Sequence, residues 1–195
     1  GADLKAGLID PDLGNVLRKT YNPMILALRG LNKPVIGAIN GVAAGAGCSL
    51  ALACDYLIAK EDAYFSEIFV QIGLAMDAGS TGFLMQSLGY HKAFELASTG
   101  KRLSATEAKA VGLVAEVVKA EDWEARVAEL AAEFAARPTF VIGLMKKSLQ
   151  KAQGMDLADV LNMEADAQSV AGRSEDFAEG VMSFLQKRSP KFKGK

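Results

Sequence analysis

Histidine, cysteine and charge imbalance are what this sequence has little of. His91 is the one histidine in 195 residues. A single imidazole excludes a His-rich metal site and argues against a Ser-His-Asp triad, so no metal ligand set is expected. The two cysteines, Cys48 and Cys54, stand six residues apart inside one apolar segment. That spacing suits neither a Cys-x-x-Cys site nor a disulfide framework, and the chain is expected in a reducing, cytoplasmic compartment. Net charge is -1, which argues against a nucleic-acid partner. No apolar run reaches the length of a membrane span and no signal peptide is visible, so no membrane partner is expected. There is no initiating Met: the chain opens Gly-Ala-Asp-Leu-Lys, as expected of a fragment, a processed product or part of something longer.

What is present is apolar surface and glycine. Half of the residues are hydrophobic and 19 are Gly, enough for a sizeable core. Apolar spacing predicts a helix over 13–29 with a break at Pro23. Val35 to Ile39 reads as a strand buried on both faces, Gly47 to Ala53 as a short buried helix, and Asp55 to Ala59 and Ala63 to Phe65 as further strands. Strand, helix and strand in that order imply a parallel βαβ crossover. Residues 66–82 are the least regular stretch, with a helix restarting near Gly79 and running to Leu88. His91 to Thr99 reads as a helix ended by Gly100. Ser104-Ala-Thr-Glu107 is a capping box, its short helix closed by Gly112, and Leu113 to Val118 is a strand. From Glu121 onward four helices follow, over 121–136, 138–152, 156–171 and 175–187. The expected class is α/β over 1–120, with an all-helical region over 121–195.

Three features carry candidate chemistry. Gly41 to Gly47 joins a strand to a helix, which leaves the first helical amides unpaired. The joint is either a tight packing turn or a cradle for an anion or a carbonyl oxygen that becomes one. It lacks a Walker pattern and a Gly-x-Gly-x-x-Gly. Asp77 sits among apolar residues before a helix; it is either an N-cap or a carboxylate poised as base or nucleophile. Asp55 reads as structural, nothing in its spacing marks Glu67, and Trp123 and Phe134 read as packing. Five of the last nine residues are Lys or Arg, either a solvated end or a contact for a phosphate-bearing ligand.

Ile36-Gly-Ala-Ile-Asn-Gly-x-x-x-Gly-Ala-Gly-x-x-x-x-Leu-x-Cys-Asp-Tyr56 resembles the signature of the enoyl-CoA hydratase/isomerase (crotonase) family. Gly1-Ala-Asp-Leu-Lys5, Leu96-x-x-Thr-Gly-Lys-Arg-Leu-Ser-Ala-x-Glu-Ala-x-x-x-Gly-Leu-Val114 and Glu179-Gly-Val-x-x-Phe-x-x-Lys-Arg-x-Pro-x-Phe192 resemble further stretches of it. The resemblance spans essentially the whole chain. It implies a crotonase-like ββα spiral with a C-terminal helical trimerisation region. Family members carry more strands before Gly-Ala-Asp, and these N-terminal strands are expected to be missing here.

The resemblance also implies a mechanism. The backbone amides of Ala2 and Ala46 would form an oxyanion hole for the carbonyl of an acyl-CoA thioester. CoA would enter as part of the substrate, with no separate cofactor. Hydratases of the family carry two Glu, at the positions of Ser49 and Phe69, and here neither is acidic. The single remaining carboxylate is Asp77, which points to the Δ3,Δ2-enoyl-CoA and ring-epoxide phenylacetyl-CoA isomerase branch. Met76, where that branch has Pro, and Ser80, where it often has Gly, depart from its pattern. The family's aryl-CoA dehalogenases have Trp at the position of Phe69 and a His before the strand; this chain has neither. Lys5, Phe184 and Lys187 match CoA-contacting positions, and Met24, Ser49, Phe69 and Phe83 are expected to shape the acyl pocket. A homotrimer or dimer of trimers is expected. A hydratase-like enzyme or a non-catalytic CoA-thioester-binding subunit is the alternative.

Overall fold

The computed structural model describes residues 12–195; Ala2 and Lys5 lie outside them. The described residues fall into two compact units, one formed by residues 12–30 and 35–127, the other by 31–34 and 128–195.

The first unit opens with α1 (Leu13–Lys19) and α2 (Tyr21–Gly30). The Asp12 side chain accepts from the Asn15 amide at 3.0 Å, capping α1. The expected break at Pro23 falls instead at Thr20, between the two helices. Pro23 sits in the first turn of α2, where its missing N–H removes no intrahelical bond. Next come β1 (Ile36–Ile39), β2 (Val42–Ala44), α3 (Ala46–Leu52), β3 (Tyr56–Lys60) and β4 (Tyr64–Ser66). After a 3-10 turn over Ile68–Ile72 the chain forms α4 (Ser80–Thr99), β5 (Leu103–Ser104), α5 (Ala105–Ala110) and β6 (Glu116–Val118).

Two small sheets result. β1, β3 and β6 form one, all parallel, with Ile36 beside Tyr56 and Ile58 beside Glu116. The parallel crossover from β1 to β3 is the one the sequence implies. The joint between β1 and α3 is not a plain turn, however. It contains β2, which pairs with β4 in the second sheet, Val42 beside Tyr64. The core gathers on α3: Cys48, Ala51 and Leu52 pack with Leu57, Phe65, Leu84, Leu96 and Leu103. Each such aliphatic side chain contributes about 1.5–3 kcal/mol when fully buried. Leu50 is the exception on α3, at 38% exposed.

α4 is two helices in line. Gly89 (φ 70°, ψ 172°) breaks it, which accounts for the separate expectations of helices ending near Leu88 and starting near His91. Gly100 ends the second half in left-handed geometry (φ 59°). The Ser104–Glu107 capping box forms as read, with the Ser104 amide donating to Glu107 Oε2 at 2.9 Å.

The chain enters the second unit within α6 (Trp123–Ala135) and continues through α7 (Thr139–Lys151), α8 (Leu157–Ala171) and α9 (Glu175–Leu185). Its basic end folds back on α9. Buried Asp176 accepts from the amides of Lys193 and Gly194 at 2.7 and 2.9 Å. Arg188 forks onto Glu179 at 2.5 and 2.8 Å, and together with the Lys191 amide it holds that carboxyl down at about 2. Much of the tail's positive charge is therefore met by its own helix.

Candidate active site

The site is built where β2 runs into α3. Gly45, between them, has φ 55° and ψ -128°, a conformation open to Gly and strained for other residues. Its amide donates to the Ser66 carbonyl of β4 at 2.9 Å, which pins the start of α3 to the second sheet. Ala46 is the first residue of α3, and the first recurring helical bond at this end runs from the Ser49 amide to the Gly45 carbonyl at 3.0 Å. The amide of Ala46 thus has no acceptor within its own helix. The Phe69 ring, itself buried, comes within 3.8 Å of where a Cβ on Gly45 would stand. Ser49 is fully buried and its hydroxyl donates to the Gly45 carbonyl at 3.3 Å. α3 therefore presents amide donors and no carboxylate.

Asp77 sits in the turn that opens α4. Ala78 has φ 49° and Gly79 φ 87°, so two left-handed residues in succession set the direction in which the Asp77 side chain leaves. The N-cap reading is corrected here: Gly79 caps α4, without a side-chain bond, and Asp77 contributes only its carbonyl, accepting from the Ser80 amide at 3.1 Å. The Asp77 carboxyl keeps a buried Oδ1 with no hydrogen-bond partner among the described residues. Burial pushes its pKa up from the ordinary 3.8.

Beneath this turn lies Glu67, unmarked by spacing in the sequence. It is 2% exposed at the end of β4. Ser80 donates its hydroxyl to Glu67 Oε2 at 3.3 Å, and Cys48 of α3 lines the same small cavity as Glu67. Oε1 has no partner. Burial first, and then the charge of Asp77, hold the Glu67 pKa above its ordinary value. The one signal available was its company, Phe65 before it and Ile68-Phe69 after it, an apolar frame in which an acidic residue is unusual.

Of the other expected residues, Phe83 packs between the core and the cluster of Ile25, Ala53 and Ala78, with the Arg29 guanidinium 5.3 Å from its ring centre. Met24 precedes Ile25 on α2 and is 42% exposed. Asp55 is structural as read, accepting from the Val35 amide at 2.9 Å and from Arg29 at 3.4 Å. Phe184 and Lys187 are exposed residues of the second unit. Among the described residues, no group of three or more His, Cys, Asp or Glu could hold a metal ion, and no helix is long and apolar enough to cross a membrane.

The enoyl-CoA hydratase/isomerase family model matches residues 1–195. The chain belongs to that family. Among curated members, the 1,2-epoxyphenylacetyl-CoA isomerase of Escherichia coli (strain K12) is 43% identical over 200 residues, with 100% of this chain and 76% of that protein covered. A probable enoyl-CoA hydratase of Rhodobacter capsulatus is 39% identical over 196 residues, with the same 100% and 76% covered. A crystal structure of enoyl-CoA hydratase from Bacillus anthracis superposes with a TM-score of 0.92 at 35% identity, covering 100% of this chain and 76% of that one. The α/β architecture with its C-terminal helices is the crotonase fold.

Proposed function

We propose that this enoyl-CoA hydratase/isomerase family member is an acyl-CoA isomerase in which Asp77 is the single acid and base. The observation that carries the reading is the Asp77 carboxyl: its buried Oδ1 has no hydrogen-bond partner among the described residues, and Gly79 releases it from helix capping. Ser49 and Phe69, where hydratases of the family carry Glu, offer no second carboxylate at those places. The 43% identity to an isomerase of a ring-epoxide thioester supports the same branch.

The thioester carbonyl is received by the amides of Ala46 and Ala2. Asp77 takes a proton from the carbon beside that carbonyl. The electron pair of the broken C–H bond moves onto the carbonyl oxygen, where the two amides stabilise the enolate. Asp77 then returns the proton to a different carbon and the double bond has shifted, with no net gain or loss of atoms. Removal of one oxyanion donor costs on the order of a hundredfold or more in rate. Lys5, Phe184 and Lys187 contact the CoA moiety, and Met24, Phe69 and Phe83 shape the acyl pocket. The assembly is a homotrimer or a dimer of trimers in the cytoplasm.

Asp77→Asn tests this. The variant is expected to lose double-bond shift of a 3-enoyl-CoA, and deuterium uptake beside the carbonyl in heavy water, while still binding the thioester by calorimetry. Full turnover in the variant sinks the assignment. A hydratase-like enzyme, the reading favoured by the Rhodobacter relative, instead adds water to a 2-enoyl-CoA. A binding subunit gives no deuterium uptake even with Asp77 in place.

A further inference from the structure

Two buried side-chain oxygens lack a hydrogen-bond partner among the described residues, Asp77 Oδ1 and Glu67 Oε1. The second belongs to a residue that the proposed isomerisation does not use. Burying a carboxyl is costly unless something retains it, and here the surroundings are specific. One donor to Glu67 is the hydroxyl of Ser80, fully buried, whose own amide holds the Asp77 carbonyl at 3.1 Å. On the other side the carbonyl of the preceding residue, Ser66, accepts from the Gly45 amide at 2.9 Å, at the start of the helix that Ala46 opens. Glu67 is therefore bonded by its side chain to the turn that carries the proposed base, and its neighbour Ser66 is bonded to the start of the helix that carries the proposed amide donor. The cavity it lines, with Leu84, Leu96, Leu103 and Leu113, measures about 10 Å³, far too small for an acyl chain. That rules against direct contact with substrate through this cavity.

We propose that Glu67 is a positioning residue for Asp77, clamping the 77–80 turn through Ser80 to the end of β4, whose Ser66 carbonyl holds the start of α3. Base and oxyanion donor are then both held at the end of β4 rather than on two independent loops. The role rests on the assignment of Asp77 as base. Misplacement of a reacting group by about 1 Å costs on the order of a hundredfold, so the clamp is a kinetic device more than a source of stability. The titratable groups facing Glu67 are Asp77 and Cys48, and no cation among the described residues is among the causes of its shift. The carboxyl accordingly holds its proton longer while Asp77 is charged.

Glu67→Leu removes the acceptor of the Ser80 hydroxyl, Glu67→Gln keeps an oxygen for Ser80, and Ser80→Ala removes the link from the other side. With a 3-enoyl-CoA, Glu67→Leu and Ser80→Ala are expected to lower kcat about ten- to a hundredfold with KM within about threefold of the parent, and Glu67→Gln to retain most of kcat. The infrared C=O band of protonated Glu67, identified by its loss in Glu67→Gln, is expected to titrate at lower pH in Asp77→Asn, because the neighbouring charge is gone. If Asp77→Asn is inactive while Glu67→Leu and Ser80→Ala turn over at the parental rate, the clamp alone is overturned. An unmoved band overturns it too, by placing the carboxyls too far apart to interact. If Glu67→Leu fails to fold, Ser80→Ala and the band still decide. Turnover persisting in Asp77→Asn removes the base, and with it the role of Glu67.

Discussion

At Asp77 the decisive detail is what the side chain does not do. Asp before a helix is ordinarily a cap, and from sequence the two roles could not be separated. The left-handed geometry of Ala78 and Gly79 moves the cap two residues on, and that geometry arises from how α2, α3 and α4 pack, which no local pattern encodes. Glu67 was illegible for the same reason: its hydrogen-bond partner is Ser80, 13 residues away, and its cavity neighbour Cys48 is 19 residues away in sequence. Both carboxyls are shifted up, by burial foremost, which fixes two signs. The proposed isomerisation needs Asp77 ionised, so the acid limb of its kcat–pH profile is expected above the ordinary 3.8. Folded protein also holds these protons more tightly than unfolded chain. Their contribution to stability is thus fully present below the unfolded pKa values and is lost as pH rises through the folded ones. Glu95, Glu107 and Glu179 shift the other way, so the comparison must be made against the parent. Urea midpoints of Asp77→Asn and Glu67→Gln are expected to gain on the parent between about pH 4 and about pH 7.

Among the elements, legibility followed locality. The capping box at Ser104, the left-handed ends at Gly100 and Gly112 and the helices after residue 121 depend on neighbours within a turn or two, and all were readable within a few residues. β2 and β5 were not. They are three and two residues long and exist because β4 pairs with both. The break near Pro23 was misplaced because Pro is tolerated in a first helical turn. Close approach between elements was equally hidden. A Cβ on Gly143 of α7 would stand 2.4 Å from the Asn32 carbonyl oxygen, whereas one on Gly30 at the end of α2 meets nothing within 4 Å. Gly143→Ala is therefore expected to lose about 1–3 kcal/mol in urea unfolding, the range for overpacking against backbone. Gly30→Ala is expected to hold or gain stability.

For the whole molecule, the resemblance in the sequence was sufficient to identify the crotonase fold, because the strand–helix joint and the flanking motifs span both units. What the periodicity left open is which faces the chain covers by itself. On α9 the apolar stripe of Phe177, Val181, Phe184 and Leu185 stays exposed, at 54%, 42%, 83% and 69%. With a net charge of only -1, little electrostatic repulsion opposes association through such a stripe. If it lies in the proposed subunit interface, Val181→Lys combined with Leu185→Lys is expected to shift the sedimentation profile from trimer or hexamer toward monomer. An unchanged profile would exclude the stripe from that interface.

The turn after Asp77 also constrains what sequences this site can drift through. Ala78 is left-handed, which favours Gly, Asn or Asp, yet it is 4% exposed among Ile25 and Ala53, which disfavours both polar choices. At Gly79 any side chain would begin 2.8 Å from the Phe83 ring, in a backbone region already hostile to it. Position 78 is thereby confined to Ala or Gly, and position 79 to Gly. Chemical innovation around Asp77 has to enter through Met76 on one side and Ser80 on the other, the two places where the sequence departs from the pattern of the isomerase branch it resembles.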